Sequence, residues 1–475
     1  ERAHERCDDT DTDRGEHDQP RGLKRRVRDA IALCIQRGEQ IGEPHADRTT
    51  QQRATDETVV IQRASGLPGA SVSSSVTEFI DDSPARLASA SLNLTAPIYS
   101  GGSVRNGILA AENRIEAGRA DLRGTESDVF SRVVAAYMDV IRGEALVGLT
   151  RNNVAVLTTN LQATSDRFEI GDLTRTDVAQ SESRLALARG QTRSAEANLI
   201  SARERYIQVV GKAPENLASP PPLVGLPGSA DDAVEIALES NPDLLAARQR
   251  AKAAGYDTAA TNARRLPQVS VFASSGYNDF LGSNNLPGAV QSTTDTTVGV
   301  RATVPLFQGG LPSALKRQAQ AREGASLEQE IGIERAVIAS VRAAFAQWQA
   351  AQSLIATSQT AVDAAALSLE GVRAENSVGN RTILDILNAE NELLNAQVQL
   401  VTARRNAYVA GFNLLAAMGK AEARDLGLDG GTLYDPAVNY RNAKGSYFDW
   451  NDNPDPKPVS TRTVDTKAQS GSVTP

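Results

Sequence analysis

The sequence predicts a mainly α-helical chain that also carries four β-strands and consists of two structural repeats. No proline occurs between Pro97 and Pro214 or between Pro312 and Pro436. Apolar residues recur at helical spacing within these stretches, which indicates long helices packed as coiled coils. Segments of alternating apolar and polar residues, typical of strands, precede each stretch. A constant offset of 208 residues relates the two halves and indicates an internal duplication.

Composition and charge exclude several classes of protein. The formal net charge of −8 argues against a nucleic-acid partner, which would call for clustered basic surface. No run of about 18 apolar residues occurs, so a membrane-spanning helix is not expected. Both cysteines and all three histidines lie in the first 45 residues, so the main body offers no thiol, imidazole or ordinary zinc site. We therefore predict no catalytic residue, no cofactor and no metal site.

Residues 1–53 differ from the rest of the chain. Of these residues, 23 are charged, nearly balanced in sign, and they show no sustained apolar periodicity. Such composition favours disorder, and a divergent or corrupted sequence is the alternative. The segment also has no apolar signal-peptide core.

The first repeat spans residues 54–228 and begins with a strand hairpin. One strand is predicted over roughly 69–79 and the other over Ser89–Tyr99, because apolar and polar residues alternate. A helix of about 65 residues, or roughly 100 Å, follows from Ser103 to about residue 167. Its seam repeats every seven residues, at Ile108, Ile115, Leu122 and Val129.

After its long helix, the first repeat is predicted to return in two shorter helices separated by a linker. A helix over about 175–210 covers only about 54 Å. The proline- and glycine-rich residues 211–229 form a linker, and a further helix over 231–263 completes the length.

The second repeat, residues 229–425, mirrors the first. Thr296–Phe307 alternates like the earlier strand, with Val298 and Val300 on one face and Thr297 and Arg301 on the other. Residues 426–475 are rich in glycine, proline and polar types, so they form a polar tail that is peripheral or disordered.

The turn that joins the long helix to its return helix occurs in two copies, at 168–177 and 376–385. Each copy keeps a glycine, a threonine and an aspartate in register: Gly171, Thr174, Asp177 and Gly379, Thr382, Asp385. Both copies lie at the tips of long helical hairpins.

Four strands per chain cannot close a membrane barrel, since about eight is the lower limit and open edges are not tolerated in lipid. The chain must therefore assemble. Two copies would supply eight strands and three would supply twelve, and the residues alone leave this number open.

The motifs at 96–102 (Ala-Pro-Ile-Tyr-Ser-Gly-Gly), 304–310 (Val-Pro-Leu-Phe-Gln-Gly-Gly) and 377–388 are specific. Together with the duplicated order of strands and helices, they resemble the TolC family of outer-membrane efflux and type I secretion channels. The resemblance covers about residues 54–425. It implies a homotrimer with a twelve-stranded β-barrel in outer-membrane lipid and an α-helical tunnel in the periplasm.

The resemblance also implies partners and a mode of action. Such channels are passive conduits that dock with a periplasmic adaptor protein and an inner-membrane transporter of the ABC or RND type. Their hairpin tips form the periplasmic gate. Carried over to this sequence, the closing groups are Arg381 near one tip and Thr176 and Asp177 near the other.

A second interpretation applies to the tip aspartates. Asp177 and Asp385 fall in the first turn of a helix, where a carboxylate is stabilised by the helix dipole. The two roles are compatible.

The resemblance implies an acidic constriction in the lumen. Asp385 from three copies would form a ring of carboxylates that attracts cations. The position one turn further holds Asn388, so a neutral ring replaces a second acidic one. Asn376 stands where some relatives have an aromatic residue in the gate.

The junction between barrel and tunnel falls at two corresponding motifs. Tyr99 and Phe307 suit either an interfacial aromatic belt or simple packing at a turn. The junction residues are Pro97, Tyr99, Gly101, Gly102, Pro305, Phe307, Gly309 and Gly310.

The alternative from another class is a periplasmic coiled-coil adaptor or structural protein. The long helices fit this interpretation, whereas the duplicated strand pairs do not. An outer-membrane location with a heat-modifiable trimer would favour the channel.

Overall fold

The computed structural model describes residues 43–80, 85–215, 217–282, 290–423, 425, 435–458, 460 and 462–473. Within these ranges, long helices dominate, and one antiparallel sheet lies at one end of them. The first repeat contains α1 (Glu43–Ala64), β1 (Gly69–Phe79), β2 (Ala85–Tyr99), α2 (Ser103–Glu169) and α3 (Arg175–Val210).

The second repeat and the tail complete the chain. They contain α4 (Ala230–Ser240), α5 (Pro242–Asn262), β3 (Gln268–Asp279), β4 (Ser292–Thr303), α6 (Leu311–Ser377), α7 (Ile383–Ala417) and α8 (Pro436–Gly445). One turn of 3₁₀ helix, Ala263–Arg265, links α5 to β3.

Helices α2 and α6 each span 67 residues, or roughly 100 Å. Three of the four predicted seam residues of α2, Ile115, Leu122 and Val129, are buried, and Ile108 is half-buried. Helix α3 packs antiparallel on α2 and α7 on α6, and each pair forms a helical hairpin. The largest core cluster lies where α2, α3, α4, α6 and α7 meet, around Val140, Leu199 and Phe412.

The strands form one sheet in the order β1-β2-β3-β4, with every neighbouring pair antiparallel. One face carries apolar residues in register: Val72 lies opposite Leu92, and Ala273 opposite Val298. The other face is polar, and serine hydroxyls bond across it between Ser73 and Ser91 at 2.8 Å. β4 ends at Thr303, earlier than the predicted end at Phe307.

The predicted single helix over 231–263 is wrong. The structure has two helices, α4 and α5, that meet at Asn241 and Pro242. Proline lacks the N–H that an uninterrupted helix needs, and it disfavours helical backbone in the residue before it. The Asn241 side chain accepts bonds from the N–H groups of Asp243 and Leu244, at 3.0 and 3.2 Å, and so starts α5.

Helix α1 begins at Glu43, before the predicted start of the first repeat at residue 54. Gln52 and Asp56 on α1 are buried. Their burial is tolerated because the Gln52 amide donates to Asp56 Oδ1 at 2.9 Å. Residues 1–42, which belong to the segment predicted as atypical, lie outside the described residues.

The described part of the C-terminal tail packs on the helical body. Tyr440 on α8 joins a cluster with Val59 and Ile115. Further on, the Arg203 guanidinium donates to the carbonyl oxygens of Ser470 and Ser472, at 2.6 and 3.1 Å. Residues 426–434 lie outside the described residues.

Among the described residues, none of the helices is both long and apolar enough to cross a membrane.

Candidate functional site

The two hairpin tips have the same backbone turn. Gly171 and Gly379 both adopt left-handed backbone, with φ of 84° and 82°. One residue further on, the N–H of Asp172 donates to Arg167 O and that of Asn380 to Glu375 O, both at 2.9 Å. These bonds use carbonyl groups that the end of a helix leaves free. A β-carbon would strain both positions, which explains the repeated glycine.

Each return helix begins with a capping box. The Thr174 hydroxyl accepts from the Asp177 N–H at 3.3 Å, and Asp177 Oδ2 accepts from the Thr174 N–H at 2.9 Å. Thr382 and Asp385 repeat both bonds at the same distances. Both aspartates therefore cap a helix in the folded chain, as the second interpretation of these residues expected.

These bonds favour the ionised carboxylates. Bonds from the Thr174 side chain and backbone lower the pKa of Asp177. Bonds from the Thr382 backbone and side chain lower the pKa of Asp385. Both carboxylates are thus anionic at neutral pH, as a cation-attracting constriction requires.

Arg381 is held within its own hairpin. Its guanidinium Nε donates to Glu375 Oε2 at 2.7 Å, and this bond raises the pKa of Arg381. Asn376, which replaces the expected aromatic residue, donates from its amide to the Arg381 carbonyl at 2.7 Å. Within the described residues of one chain, no hydrogen bond or ion pair joins Arg381 to Thr176 or Asp177. A clasp between these groups would therefore have to form between copies.

Two further contacts join the hairpins, and sequence reasoning did not find them. The Arg184 guanidinium on α3 donates to Asn388 Oδ1 on α7 at 3.0 Å. Asn388 is thus bonded to the other hairpin, in addition to being the neutral residue predicted beside the constriction.

The second contact centres on Glu390, which is buried on α7. Its Oε1 accepts from Asn160 on α2 at 2.7 Å and from Arg373 on α6 at 2.9 Å. The Glu390 carboxylate therefore bonds both long helices at one level above the tips. We call Asn160, Arg373, Glu390, Arg184 and Asn388 the hairpin link.

A signal for the link was present in the sequence. Glu390 interrupts a buried apolar stripe on α7 that includes Ile383, Leu387 and Leu394. A carboxylate on an apolar stripe needs a buried partner. Its partner Asn160 lies 230 residues away along the chain, so spacing alone could not identify it.

The two junction motifs also match in conformation. Gly102 and Gly310 precede α2 and α6 with left-handed backbone, at φ of 85° and 83°, and their neighbours Gly101 and Gly309 are left-handed as well. Tyr99 and Phe307 are exposed in the single chain, with 48% and 90% of their surface accessible. The aromatic belt and packing at a turn both stay predictions for these two residues.

Among the described residues, no group of three or more histidine, cysteine, aspartate or glutamate side chains is arranged to hold a metal ion.

The chain has similarity to known proteins over both repeats. The family described as "Outer membrane efflux protein" matches residues 48–212 and 233–420. The outer membrane efflux protein BepC of Brucella suis is 33% identical over 358 residues, which cover 75% of this chain and 77% of BepC. The outer membrane protein TolC of Escherichia coli is 28% identical over 357 residues, 71% of this chain and 70% of TolC.

A solved structure shares the fold. The CmeC outer membrane channel of Campylobacter jejuni aligns with a TM-score of 0.73 and 14% identity, over 88% of this chain and 89% of CmeC. The described C-terminal tail, from residue 435 onward, lies beyond the last residue that the family matches.

Proposed function

Because the chain belongs to the outer membrane efflux protein family, we propose that it works as a passive homotrimeric conduit gated at its periplasmic hairpin tips. The protein is an outer-membrane efflux or secretion channel of the TolC type. Stoichiometry, gate and partners rest on the physical arguments that follow.

The two-faced open sheet carries the proposal. Its apolar face is exposed in the single chain: Val72, Val298 and Val300 are 76%, 73% and 68% accessible. Strands β1 and β4 lie at opposite edges, each with one unpaired side in this sheet. Lipid tolerates neither an unpaired edge nor a polar face, so copies of the sheet would join edge to edge with polar residues inside. Three copies would supply the twelve strands expected from the family resemblance.

The helices support the same assembly. Helix α2 has 21 buried residues, whereas α6, of equal length, has five. Large apolar side chains on α6 therefore lack cover in one chain, among them Leu354 and Leu367. Helix α5 lies between α2 and α6, whereas its counterpart α1 packs mainly against α2 among the long helices of the described residues. By the repeat, α1 would find its second neighbour in α6 of the next copy.

The gate would lie at the far end of this tube. The hairpin tips carry Asp385 and Arg381 at exposed, charged turns, while the hairpin link fixes the two hairpins of one copy to each other. Closure between copies would bring Arg381 toward Thr176 and Asp177 of a neighbour. An arginine fork suits such a reversible clasp, because it bonds carboxylate and carbonyl groups together.

The same tips would receive the partners. We propose that a periplasmic adaptor and an inner-membrane ABC or RND-type transporter dock there and open the gate. Photocrosslinkers placed near the tips should capture both proteins in cells. Capture by positions in the sheet alone would contradict tip docking.

Fractionation followed by conductance measurement tests the function. We expect the protein in the outer-membrane fraction as a trimer that dissociates on heating, and we expect single channels in planar bilayers. A soluble monomer without conductance would contradict the proposal and favour the coiled-coil adaptor.

A further inference from the structure

Three aromatic side chains in the C-terminal tail are exposed together. Tyr447, Phe448 and Trp450 are 69%, 76% and 85% accessible. Large aromatic residues crowded into four positions are costly to leave in water. Their exposure points to a surface that covers them in the working protein.

The segment is held at a fixed place on the helical body. The Arg63 guanidinium, in the last turn of α1, donates to Lys444 O at 2.6 Å and to Ser446 O at 3.0 Å. The same guanidinium lies 4.2 Å from the centre of the Tyr447 ring. Three contacts from one arginine thus fix the start of the aromatic segment.

This place is close to the sheet. Helix α8 runs parallel to α1, since Asn439 bonds Asp56 and Lys444 bonds Arg63. The tail therefore rises along α1 toward β1. Arg63 precedes Gly69, the first residue of β1, by six positions, a reach of at most about 20 Å.

We propose that residues 446–450 form an anchor in the periplasmic leaflet of the outer membrane, with Tyr447, Phe448 and Trp450 at headgroup level. Tryptophan and tyrosine favour this level, because an apolar ring and a polar group meet there. The inference rests on the proposed placement of the sheet in the bilayer. It would extend the belt of Tyr99 and Phe307 with residues from outside the part that the family matches.

The charges beside the aromatic residues define the kind of lipid surface. Asp449, Asp452 and Asp455 are interleaved with or follow them. Acidic residues are not attracted electrostatically to anionic lipid headgroups. The anchor would therefore bind through its apolar and interfacial aromatic rings. Zwitterionic lipid is therefore sufficient for it.

The two tryptophans of the chain make the anchor measurable. Trp348→Phe leaves Trp450 as the only tryptophan. We would reconstitute this variant in phosphatidylcholine vesicles whose acyl chains carry bromine near the headgroup, a contact quencher. Trp450 emission should be roughly twofold lower than in unbrominated vesicles.

Trp450→Phe is the matched control. It leaves Trp348, which packs against Phe345 within the helical body at 5.7 Å between ring centres. Its emission should not respond to bromine. Equal emission of Trp450 with and without bromine would overturn the anchor.

Two other outcomes are distinguishable. A blue-shifted Trp450 emission without quenching would assign the aromatic residues to a second copy of the chain and overturn the anchor. Flotation of the vesicles shows separately whether the sheet inserts. Protein that floats unquenched contradicts the anchor alone, whereas protein that fails to float contradicts the membrane placement as well.

Discussion

At the scale of single residues, the tips combine two functions in the same side chains. Asp385 caps α7 and also carries the charge expected to face the entrance. Arg381 is bonded to Glu375 in the separate chain, so closing the gate would require this bond to be shared or exchanged. Both groups are exposed, so exchange costs little, as is typical of exposed ion pairs.

Arg381→Ser and Asp177→Ala should each raise single-channel conductance in planar bilayers by roughly twofold or more, because the clasp between copies is lost. The control is Arg404→Ser, which removes an exposed arginine bonded to Gln359 on the same hairpin, away from the tip. Unchanged conductance in both tip variants would disprove the clasp.

Asp385→Ala should make block by trivalent cations from the periplasmic side at least about tenfold weaker, because the ring of carboxylates disappears. Asp363→Ala removes an exposed carboxylate elsewhere on the same hairpin and should leave the block unchanged. Block that persists in Asp385→Ala would place the acidic ring elsewhere.

Acid should loosen the tips only at low pH. The pKa values of Asp177 and Asp385 are lowered in the fold, so their caps contribute fully above the unfolded pKa of about 3.9 and are lost as pH falls through the folded pKa. A spin label at Val378, with both native cysteines replaced, should gain mobility only below about pH 4. A label at Val224, which is 88% exposed against 71% for Val378 and is not beside a capping box, serves as the control. Mobility that rises near neutral pH would contradict this assignment.

At the scale of elements, regular periodicity was predictable and isolated polar contacts were not. The seven-residue seam of α2 predicts its burial, and repeated glycine and threonine predict both tip turns. Helix α1 was missed because its buried Gln52 and Asp56 satisfy each other, which composition cannot reveal. The hairpin link was missed because its contacts between the two hairpins join residues more than 200 positions apart in the sequence.

Glu390→Ala should separate the two hairpins of one copy locally. The change leaves Asn160 without its partner, which should lower the free energy of unfolding by about 1–3 kcal/mol. The loss of the Arg373 contact should add little, because Arg373 is half-exposed. Hydrogen exchange near residues 160 and 390 should become faster, while Glu390→Gln stays closer to the wild type. Glu392→Ala, an exposed glutamate on the same helix, should have no effect, and equal exchange in all variants would disprove the link.

At the scale of the whole molecule, the single chain leaves surfaces exposed that the proposed assembly would cover. Within the part of the chain that the structure describes, the two edge strands of the sheet each lack a partner on one side, and much of α6 is uncovered. The repeat supplies two hairpins per copy that are alike in backbone but different in charge. In the proposed assembly, the first and second hairpins would therefore alternate around the symmetry axis.

Leu354→Lys should weaken the proposed trimer. Leu354 is 56% exposed in one chain, and burying it against the next copy contributes about 2 kcal/mol at each interface. The heat needed to dissociate the trimer on gels should fall. Gln352→Lys adds the same charge nearby and should have a smaller effect, whereas equal stability of both variants would contradict burial of α6.

The two hairpins of the sheet differ in length, whereas the two long helices are equal. The repeats are offset by 199 residues at Leu67 and Leu266 but by 208 at Pro97 and Pro305, so the second copy is nine residues longer between those points. The β1–β2 connection has five residues and the β3–β4 connection twelve. Residues can therefore be added to or removed from the hairpins of the sheet while the two long helices keep their equal length of 67 residues and their 208-residue offset.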